Sequence, residues 1–416
     1  MRNGGVLMER IKLIVGRITS SLWFLPALYA AGAMGVVLAA PLTEFLVPDW
    51  LADAIDVEAV RTVLNILSSS LLAVTIFSLT TMATSLKAVS DAATPRARPI
   101  LIRGGSAQNA IATFLGAFIF SVIGLVSLNG GLLGSGAEAV LFALTVIATL
   151  MVVVVLIQWI RQLSTLGDVE DAISKVEVAA QAAFRAQARL IGPAERSALG
   201  KGTPYLLYAQ RPGYVQMVDF RALDDAAEKL DVTVEVTALP GERCGPSREL
   251  AKVFGADSAE TAARLLPCFV RGERRTLEAD PCFGLTALSE IGSRALSPGV
   301  NDPGTAISAI RALERCFAEW SDAVNDAPEC APLSRVVYPA IDAAQALREP
   351  VIALARDGAS QLEVLRALIE LCSLAARLDR LDLSHEAKSL TAEIIERASA
   401  AMAHKSDVSR LKDAAG

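Results

Sequence analysis

Glu138-Ala-Val-Leu-Phe-Ala-Leu-Thr-Val-Ile-Ala-Thr-Leu-Met-Val-Val-Val-Val-Leu-Ile-Gln-Trp-Ile160 carries a single charge, at its first residue. Wound as an α-helix it is long enough to cross the roughly 30 Å of hydrocarbon in a bilayer. Towards the N-terminus three more stretches have this character: Gln108–Leu128, Val63–Thr84 and Ser21–Ala40. No later segment is as long and as apolar. The expected fold is therefore a mainly α membrane protein, with four transmembrane helices in residues 1–160 and a soluble tail of about 255 residues behind them.

The charges between the spans predict their direction. Arg2, Arg10, Lys12 and Arg17 precede the first span, whereas Glu44, Asp49, Asp53, Asp56 and Glu58 follow it against a lone Arg61. Lys87, Arg96, Arg98 and Arg103 follow the second span. The Asn129–Gly136 connector has no basic residue, and Arg161 comes directly after the fourth span. Because basic residues collect on the cytoplasmic side, both termini are expected inside, in a multi-pass protein of a bacterial inner membrane. Pro41-Leu42 after the first span offers no small-residue cleavage site, so a signal peptide is not expected.

Nine basic and eight acidic residues precede residue 161, and thirty basic and thirty-seven acidic residues follow it. A tail at −7 lacks the positive surface that neutralises phosphates, which argues against nucleic acid as a partner. All six cysteines (Cys244, Cys268, Cys282, Cys316, Cys330, Cys372) fall in the tail without the spacing of a metal knuckle. In a cytosolic tail they are expected to be reduced. With His385 and His404 as the only histidines, no metal site, no catalytic triad and no cofactor is expected. Gly130–Gly136 lacks the Lys and Ser/Thr of a phosphate-binding loop, so no feature points to an enzyme.

The tail divides by pattern. Over 161–192, Val169, Ile173, Val176, Ala180, Ala183 and Leu190 repeat at spacings of three and four, with Gln187 in the one missing place. This helical stripe fits either a stalk packed about an oligomer axis or an amphipathic helix lying on its own domain. Residues 193–275 form a small α+β module: Tyr205–Ala209, Tyr214–Val218 and Val232–Ala238 alternate as strands, and Arg221–Leu230 reads as a helix. Leu239–Pro246 reads as a loop. Residues 276–416 carry helical spacing over Phe283–Leu296, Pro303–Trp320, Ala340–Arg356, Gln361–Leu381 and His385–Ala401, a helical bundle in which Pro350 is expected to kink or split one member.

Two places could carry function. In the second span Asn65, Ser68, Thr75, Ser78, Thr81 and Ser85 fall near one helical face, interrupted by Leu72. Lipid offers polar groups no partner, so such a stripe either lines a pore or packs against another helix. Thr113, Ala117, Ser121 and Gly124 of the third span read as a close-packing surface. The spans hold no deep ionisable residue, which disfavours proton-coupled transport. Arg96, Arg98 and Arg103 either draw anions towards a pore or contact lipid headgroups. In the tail, Arg294-Ala-Leu-Ser-Pro-Gly-Val-Asn-Asp-Pro303 is the most pointed local signal. Asp302 suits the N-cap of a helix that begins at Pro303, and Arg294, Ser297, Asn301, Asp302 and Thr305 are candidates for holding an anionic ligand at that helix start. A capping Asp302 would itself occupy the place. Cys268 and Cys282 read either as reactive thiols or as core thiols.

That segment, with Thr276-Leu-Glu-Ala-Asp-Pro-Cys-Phe-Gly-Leu285, resembles the bacterial membrane-protein family called domain of unknown function 2254. Ser21-Leu-Trp-Phe-Leu-Pro26, Phe77-Ser-Leu79 and Pro212-Gly-Tyr-Val-Gln216 are similar to its other landmarks. The resemblance implies four spans and a cytoplasmic domain, and it brings no catalytic residues. Gly304 departs from the bulky residue expected after the proline, and Gln158–Gln162 lacks the family's histidines. Two functions are consistent with these readings. One is an oligomeric ion channel lined by the second spans and gated by the tail; the other is a membrane-anchored sensor or scaffold whose tail binds a ligand or partner. The expected partners are the bilayer, a homo-oligomer, and a small ion or anionic ligand.

Overall fold

A computed structural model describes residues 24–39, 56–92, 105–131, 133–163, 168–188, 199–200, 202–326, 333–378 and 381–415. The described residues form two compact units that divide after residue 168. The N-terminal unit contains α1 (Phe24–Ala39), α2 (Val57–Ala92), α3 (Gly105–Asn129) and α4 (Ser135–Leu163). Among the described residues three helical segments are long and apolar enough to span a bilayer: Val57–Ser85, Asn109–Asn129 and Ser135–Arg161. The expected first span, 21–40, is described only over the 16 residues of α1, and its ends lie outside the described residues.

Two apolar clusters align these helices. Val60 and Leu64 of α2 meet Phe120 and Leu128 of α3 and Leu141 and Ala148 of α4. Leu71 and Met82 meet Ala110 and Phe114 with Val152 and Trp159. Early residues of α2 and α4 thus pair with late residues of α3, so α3 runs antiparallel to both. Small residues bring the backbones close, as membrane helices require. A Cβ on Gly116 would lie 3.0 Å from Tyr29 Cβ of α1, and one on Gly124 would lie 3.2 Å from Leu64 and 3.4 Å from Leu141. The outward faces are apolar, with Ile66, Phe77, Ile147, Val154 and Ile160 all more than half exposed. In water such surface would be strongly unfavourable, whereas hydrocarbon accommodates it.

The C-terminal unit begins with α5 (Val169–Ala188), which packs on α8 (Pro281–Ala295) and α9 (Pro303–Asn325). Its stripe Ile173, Val176, Ala180 and Ala183 is buried there, and Phe184 stacks on Trp320 with ring centroids 4.5 Å apart. Gly284 permits the approach, since a Cβ at that position would lie 2.4 Å from Ala180 Cβ. Arg315 Nε and Nη2 donate to the two Glu177 carboxylate oxygens at 2.6 and 2.7 Å, clamping α9 to α5. This is the geometry of an amphipathic helix lying on its own domain; the described stripe is used within the chain.

Between α5 and α8 lie β1 (Tyr205–Tyr208), β2 (Gly213–Val218), α6 (Phe220–Lys229), β3 (Thr233–Val236), β4 (Arg243–Cys244), β5 (Glu249–Phe254), α7 (Ala259–Ala263) and β6 (Phe269–Gly272). β7 (Val336–Val337) follows α9, and then come α10 (Ala343–Asp357), α11 (Leu362–Ala375), α12 (Ser384–Ala401) and α13 (Lys405–Ala415). One sheet has the order β1-β5-β3-β7 and the other β4-β2-β6. The three expected strands and the expected helix appear within two or three residues of their predicted ends. The segment read as a loop, Leu239–Pro246, contains the two-residue strand β4, which is too short to show alternation. β7 pairs parallel to β3, Val234 with Val336 and Glu235 with Val337, and so joins the sheet from beyond residue 275. Leu333 and Val336 complete the sheet core of Val215, Leu223, Val234, Leu250 and Val253. Pro350 does not split its helix: α10 runs unbroken from Ala343 to Asp357, with Pro350 buried inside it and its carbonyl accepting from Ser289 Oγ at 3.3 Å. The missing N–H deprives a single carbonyl of its helical bond, and burial of the ring against α8 offsets part of that loss.

Candidate functional site

The hydroxyl face of α2 separates into two sets. Thr75 and Ser78 are buried among the helices of their own unit, 8% and 0% exposed, and Ser68 and Ser85 are half-buried on the same side. Asn65 is exposed and Thr81 half-buried, flanking that side. Thr75 Oγ1 donates to Leu71 O at 2.6 Å, Ser68 Oγ to Asn65 O at 3.0 Å and Thr81 Oγ1 to Phe77 O at 2.9 Å. The outward hydroxyls are closed in the same way, Ser70 on Ile66 O at 2.7 Å and Thr80 on Ile76 O at 2.9 Å. Donation to a carbonyl of the preceding turn lets a hydroxyl face lipid without an orphaned donor. Ser78 and Ser85 Oγ are buried without a partner. On α3, Thr113 and Ser121 donate to Asn109 O and Ala117 O at 2.9 and 2.8 Å, and Ala117 packs in the bundle core. Arg96, Arg98 and Arg103 lie outside the described residues.

In the C-terminal unit the loop from Arg294 to Thr305 brings the five candidate residues into one turn. Asp302 caps α9: its carboxylate accepts from Thr305 N at 3.1 Å and Thr305 Oγ1 at 2.7 Å. Those bonds hold the Asp302 carboxyl below the usual carboxylate range. Asp302 N donates to Ala295 O at 2.8 Å, Ser297 Oγ to Arg294 O at 2.6 Å, and Gln361 Nε2 to Asn301 Oδ1 at 2.9 Å. Asn301 sits at φ +50, in the left-handed region that Asn tolerates well. The helix start is thus already occupied by a carboxylate, and the polar groups of Ser297, Asn301, Asp302 and Thr305 are engaged in shaping the turn. Arg294 is exposed.

A second Asp-Pro step, Asp280-Pro281, lies in the segment that carries the family resemblance and builds a denser cluster, which the sequence reading did not foresee. Asp280 is 3% exposed and caps α8 by accepting from Phe283 N at 3.1 Å. Arg275 Nε and Nη2 donate to its two oxygens at 2.7 and 3.0 Å, and the guanidinium lies 5.0 Å from the centre of the Phe283 ring. Burial raises the Asp280 carboxyl, with Arg275 pulling against it. Burial also works against the Arg275 charge, but the bonds to Asp280 overcome it and raise its pKa. Gly241, at φ +90, passes over the carboxylate so closely that a Cβ would fall 2.2 Å from Asp280 Oδ2. From the other side Gln216 Nε2 donates to Arg274 O at 2.8 Å, and a Cβ on Gly213 would meet Gly272 O at 2.6 Å. Pro212–Gln216 therefore meets the 272–274 segment that leads directly into the Arg275–Asp280 ion pair. The signal for this cluster was present in the same N-cap-before-proline pattern that drew attention to Asp302.

The thiols near these positions are not poised for chemistry. Burial pushes Cys282, Cys316 and Cys372 up to about 12 and raises Cys244 as well, whereas a nucleophilic thiol needs a lowered value. Among the described residues no group of three or more His, Cys, Asp or Glu side chains is placed to hold a metal ion. A surface hollow of about 550 Å³ on α12, lined by Ser389, Glu393, Glu396 and Arg397, shares no residue with either Asp-Pro turn.

An uncharacterised protein of Mycobacterium bovis is 36% identical over 117 residues, which cover 26% of this chain and 22% of that protein. One from Mycobacterium tuberculosis strain H37Rv matches to the same extent, and one from strain CDC 1551 is 32% identical over 113 residues, 26% of this chain and 22% of its own length. The chain thus spans about a fifth of the length of the curated relatives it matches. No solved structure matches. The profile of the family described as predicted membrane protein, domain of unknown function 2254, matches residues 19–373, and the chain belongs to that family.

Proposed function

We propose that the protein is a membrane-anchored sensor or scaffold: its spans hold it in a bacterial inner membrane, and its C-terminal unit binds a ligand or partner in the cytoplasm. In this reading α1 is the described part of a fourth span and both termini face the cytoplasm, supported by the basic residues around the N-terminus, Lys87 and Arg161. The observation that carries the proposal is the burial of Thr75 and Ser78 against the chain's own helices. A pore assembled from several second spans would have to turn the outward face of α2 to its axis, where Ile66, Ile76, Phe77 and Leu79 stand among Ser69, Ser70 and Thr80, whose hydroxyls are closed on carbonyls of their own helix. The large apolar side chains of that face would place hydrophobic constrictions along such a path. The reading assigns no turnover to the C-terminal unit, supported by thiols pushed up to about 12 and by a capping carboxylate already seated at the α9 start.

The test is electrical. Purified full-length protein reconstituted in planar bilayers is expected to give no unitary conductance above protein-free membranes. Ser78→Leu and Thr75→Leu are expected to lower the thermal stability of the membrane unit, because they overfill a packed seam. A wild-type conductance that falls as side-chain volume grows at positions 75 and 78 would overturn the anchor reading in favour of a channel.

A further inference from the structure

Most described arginines of the C-terminal unit are spent on carboxylates of the same unit. Arg248 is paired with Glu242, Arg275 with Asp280, Arg315 with Glu177 and Arg348 with Glu386. Four at one end of the β4-β2-β6 sheet are not. Arg211, Arg243, Arg271 and Arg274 are exposed and, among the described residues, form no ion pair.

The strand register brings them together. Tyr214 of β2 stands between its two cross-strand partners, Arg243 of β4 and Gly272 of β6. Arg211 leads into that row through Pro212-Gly213, Arg271 precedes Gly272, and Arg274 follows it by two residues. Neighbouring strands lie about 4.8 Å apart, so the row from Arg243 to Gly272 is about 10 Å across. The stretches 211–218, 243–244 and 269–274 contain these four arginines and one acidic residue, Glu273. The surroundings have the opposite sign: with these five residues set aside, the chain beyond residue 160 holds twenty-six basic and thirty-six acidic residues, a balance of −10.

A body polarised in this way meets an anionic surface with one end only, because its arginine end is attracted and the remainder repelled. The cytoplasmic leaflet is such a surface, and each arginine near it adds a small, salt-screened attraction. Tyr214, in the middle of the row, is a residue type that settles at headgroup level. A single phosphate reaches only part of a row this wide, whereas a layer of headgroups meets all four guanidiniums at once. A soluble polyanion would face the acidic remainder of the tail with no tether to offset the repulsion.

We propose that the end of the β4-β2-β6 sheet carrying Arg211, Arg243, Arg271 and Arg274 docks on anionic lipid headgroups of the cytoplasmic leaflet. Val169 follows Leu163, the end of α4, by six residues, at most about 20 Å of extended chain, so the tether keeps headgroups at high effective concentration and weak contacts suffice. The inference rests on the cytoplasmic placement of the C-terminal unit proposed above, and it holds whether or not the spans conduct.

The test uses full-length protein in phosphatidylcholine nanodiscs with and without phosphatidylglycerol. Phosphatidylglycerol is expected to slow hydrogen exchange of the 211–214 and 271–274 amides about tenfold, and molar salt to abolish the difference. Arg243→Glu with Arg274→Glu is expected to abolish it too, whereas Arg377→Glu with Lys388→Glu, exposed residues of the helical part, should keep it. Unchanged protection of β3 and β5 in both variants would show that the fold is intact. Equal protection in the two kinds of disc, protection in neither, or protection that survives in the Arg243→Glu, Arg274→Glu protein would each overturn the proposal. Protection induced in phosphatidylcholine discs by inorganic phosphate or by a single-stranded oligonucleotide would overturn it as well, assigning the arginines to a soluble anion. Both leaflets of a disc carry the same lipid, so these outcomes are independent of orientation. The cytoplasmic placement is read separately, from protease access to the C-terminal unit in inverted and right-side-out vesicles.

Discussion

The two Asp-Pro steps of the C-terminal unit begin helices with the same local chemistry and end in different surroundings. Asp302 and Asp280 each accept from the backbone N–H three residues on, at the same 3.1 Å, and each precedes a proline in the first turn. Asp302 stays exposed and spends its second oxygen on Thr305 of its own helix. Asp280 is buried, and both its oxygens are taken by Arg275 while Gly241 presses against it. An N-cap is a local device, worth about 1 kcal/mol wherever it occurs. A buried, ion-paired cap is a tertiary one: removing either partner leaves the other charge without compensation. The same dipeptide is thus a turn former in one place and a junction between the β2–β4–β6 sheet and the helices in the other.

Asp280→Ala should therefore have the largest effect, destabilising the unit by about 3–5 kcal/mol because the Arg275 guanidinium remains half-buried with no partner. Hydrogen exchange of the α8 amides in the full-length protein would measure it as a loss of local opening free energy. A loss near 1 kcal/mol would mean that Asp280 acts only as a cap and would dissolve the distinction. Next in size is Gly241→Ala, which combines a left-handed φ with a Cβ driven into the carboxylate, about 2–4 kcal/mol together. In an Asp280→Ala background the clash disappears and only the backbone strain remains, so the two losses should sum to less than additivity predicts. Strict additivity would show that loop and carboxylate are not in contact.

Sequence periodicity made much of this architecture legible, for physical reasons that also mark its limits. The spans stand out because hydrocarbon tolerates almost nothing but apolar side chains. The helix holding the second of them runs on to Ala92, beyond the predicted Thr84, since past the apolar stretch hydropathy no longer marks where a helix ends. Hydroxyls on one face of α2 were readable as a stripe. Whether that stripe meets water or a neighbouring helix depends on α3 and α4, which a helical wheel does not contain. β7 was invisible because two residues show no alternation and its pairing with β3 spans about a hundred positions. The Asp302 turn was legible because all its described side-chain bonds but that from Gln361 to Asn301 close between Arg294 and Thr305. The Asp280 cluster was only half legible: its cap is local, but Gly241 and Gln216 reach it through the sheet, and no spacing rule connects them.

The smallest expected effect belongs to the exposed cap, and pH separates it from the buried one. Asp302→Ala should cost α9 about 1 kcal/mol. Asp302→Asn should cost less, because asparagine also accepts from Thr305 N while carrying no charge. Thr305 holds the folded-state carboxyl of Asp302 below its ordinary value near 4, so the carboxylate contributes stability that is fully present above that value. It is lost as pH falls through the lower, folded-state value, where protonation removes the charge that Thr305 and the helix start favour. Wild type should therefore exceed Asp302→Asn in α9 exchange protection at pH 6, and the gap should narrow as pH is lowered through and below the ordinary carboxylate range, read on the 303–307 amides. A gap independent of pH would mean that the hydrogen-bond geometry alone, without the charge, sets the strength of the cap, and that the two aspartates differ only in what surrounds them.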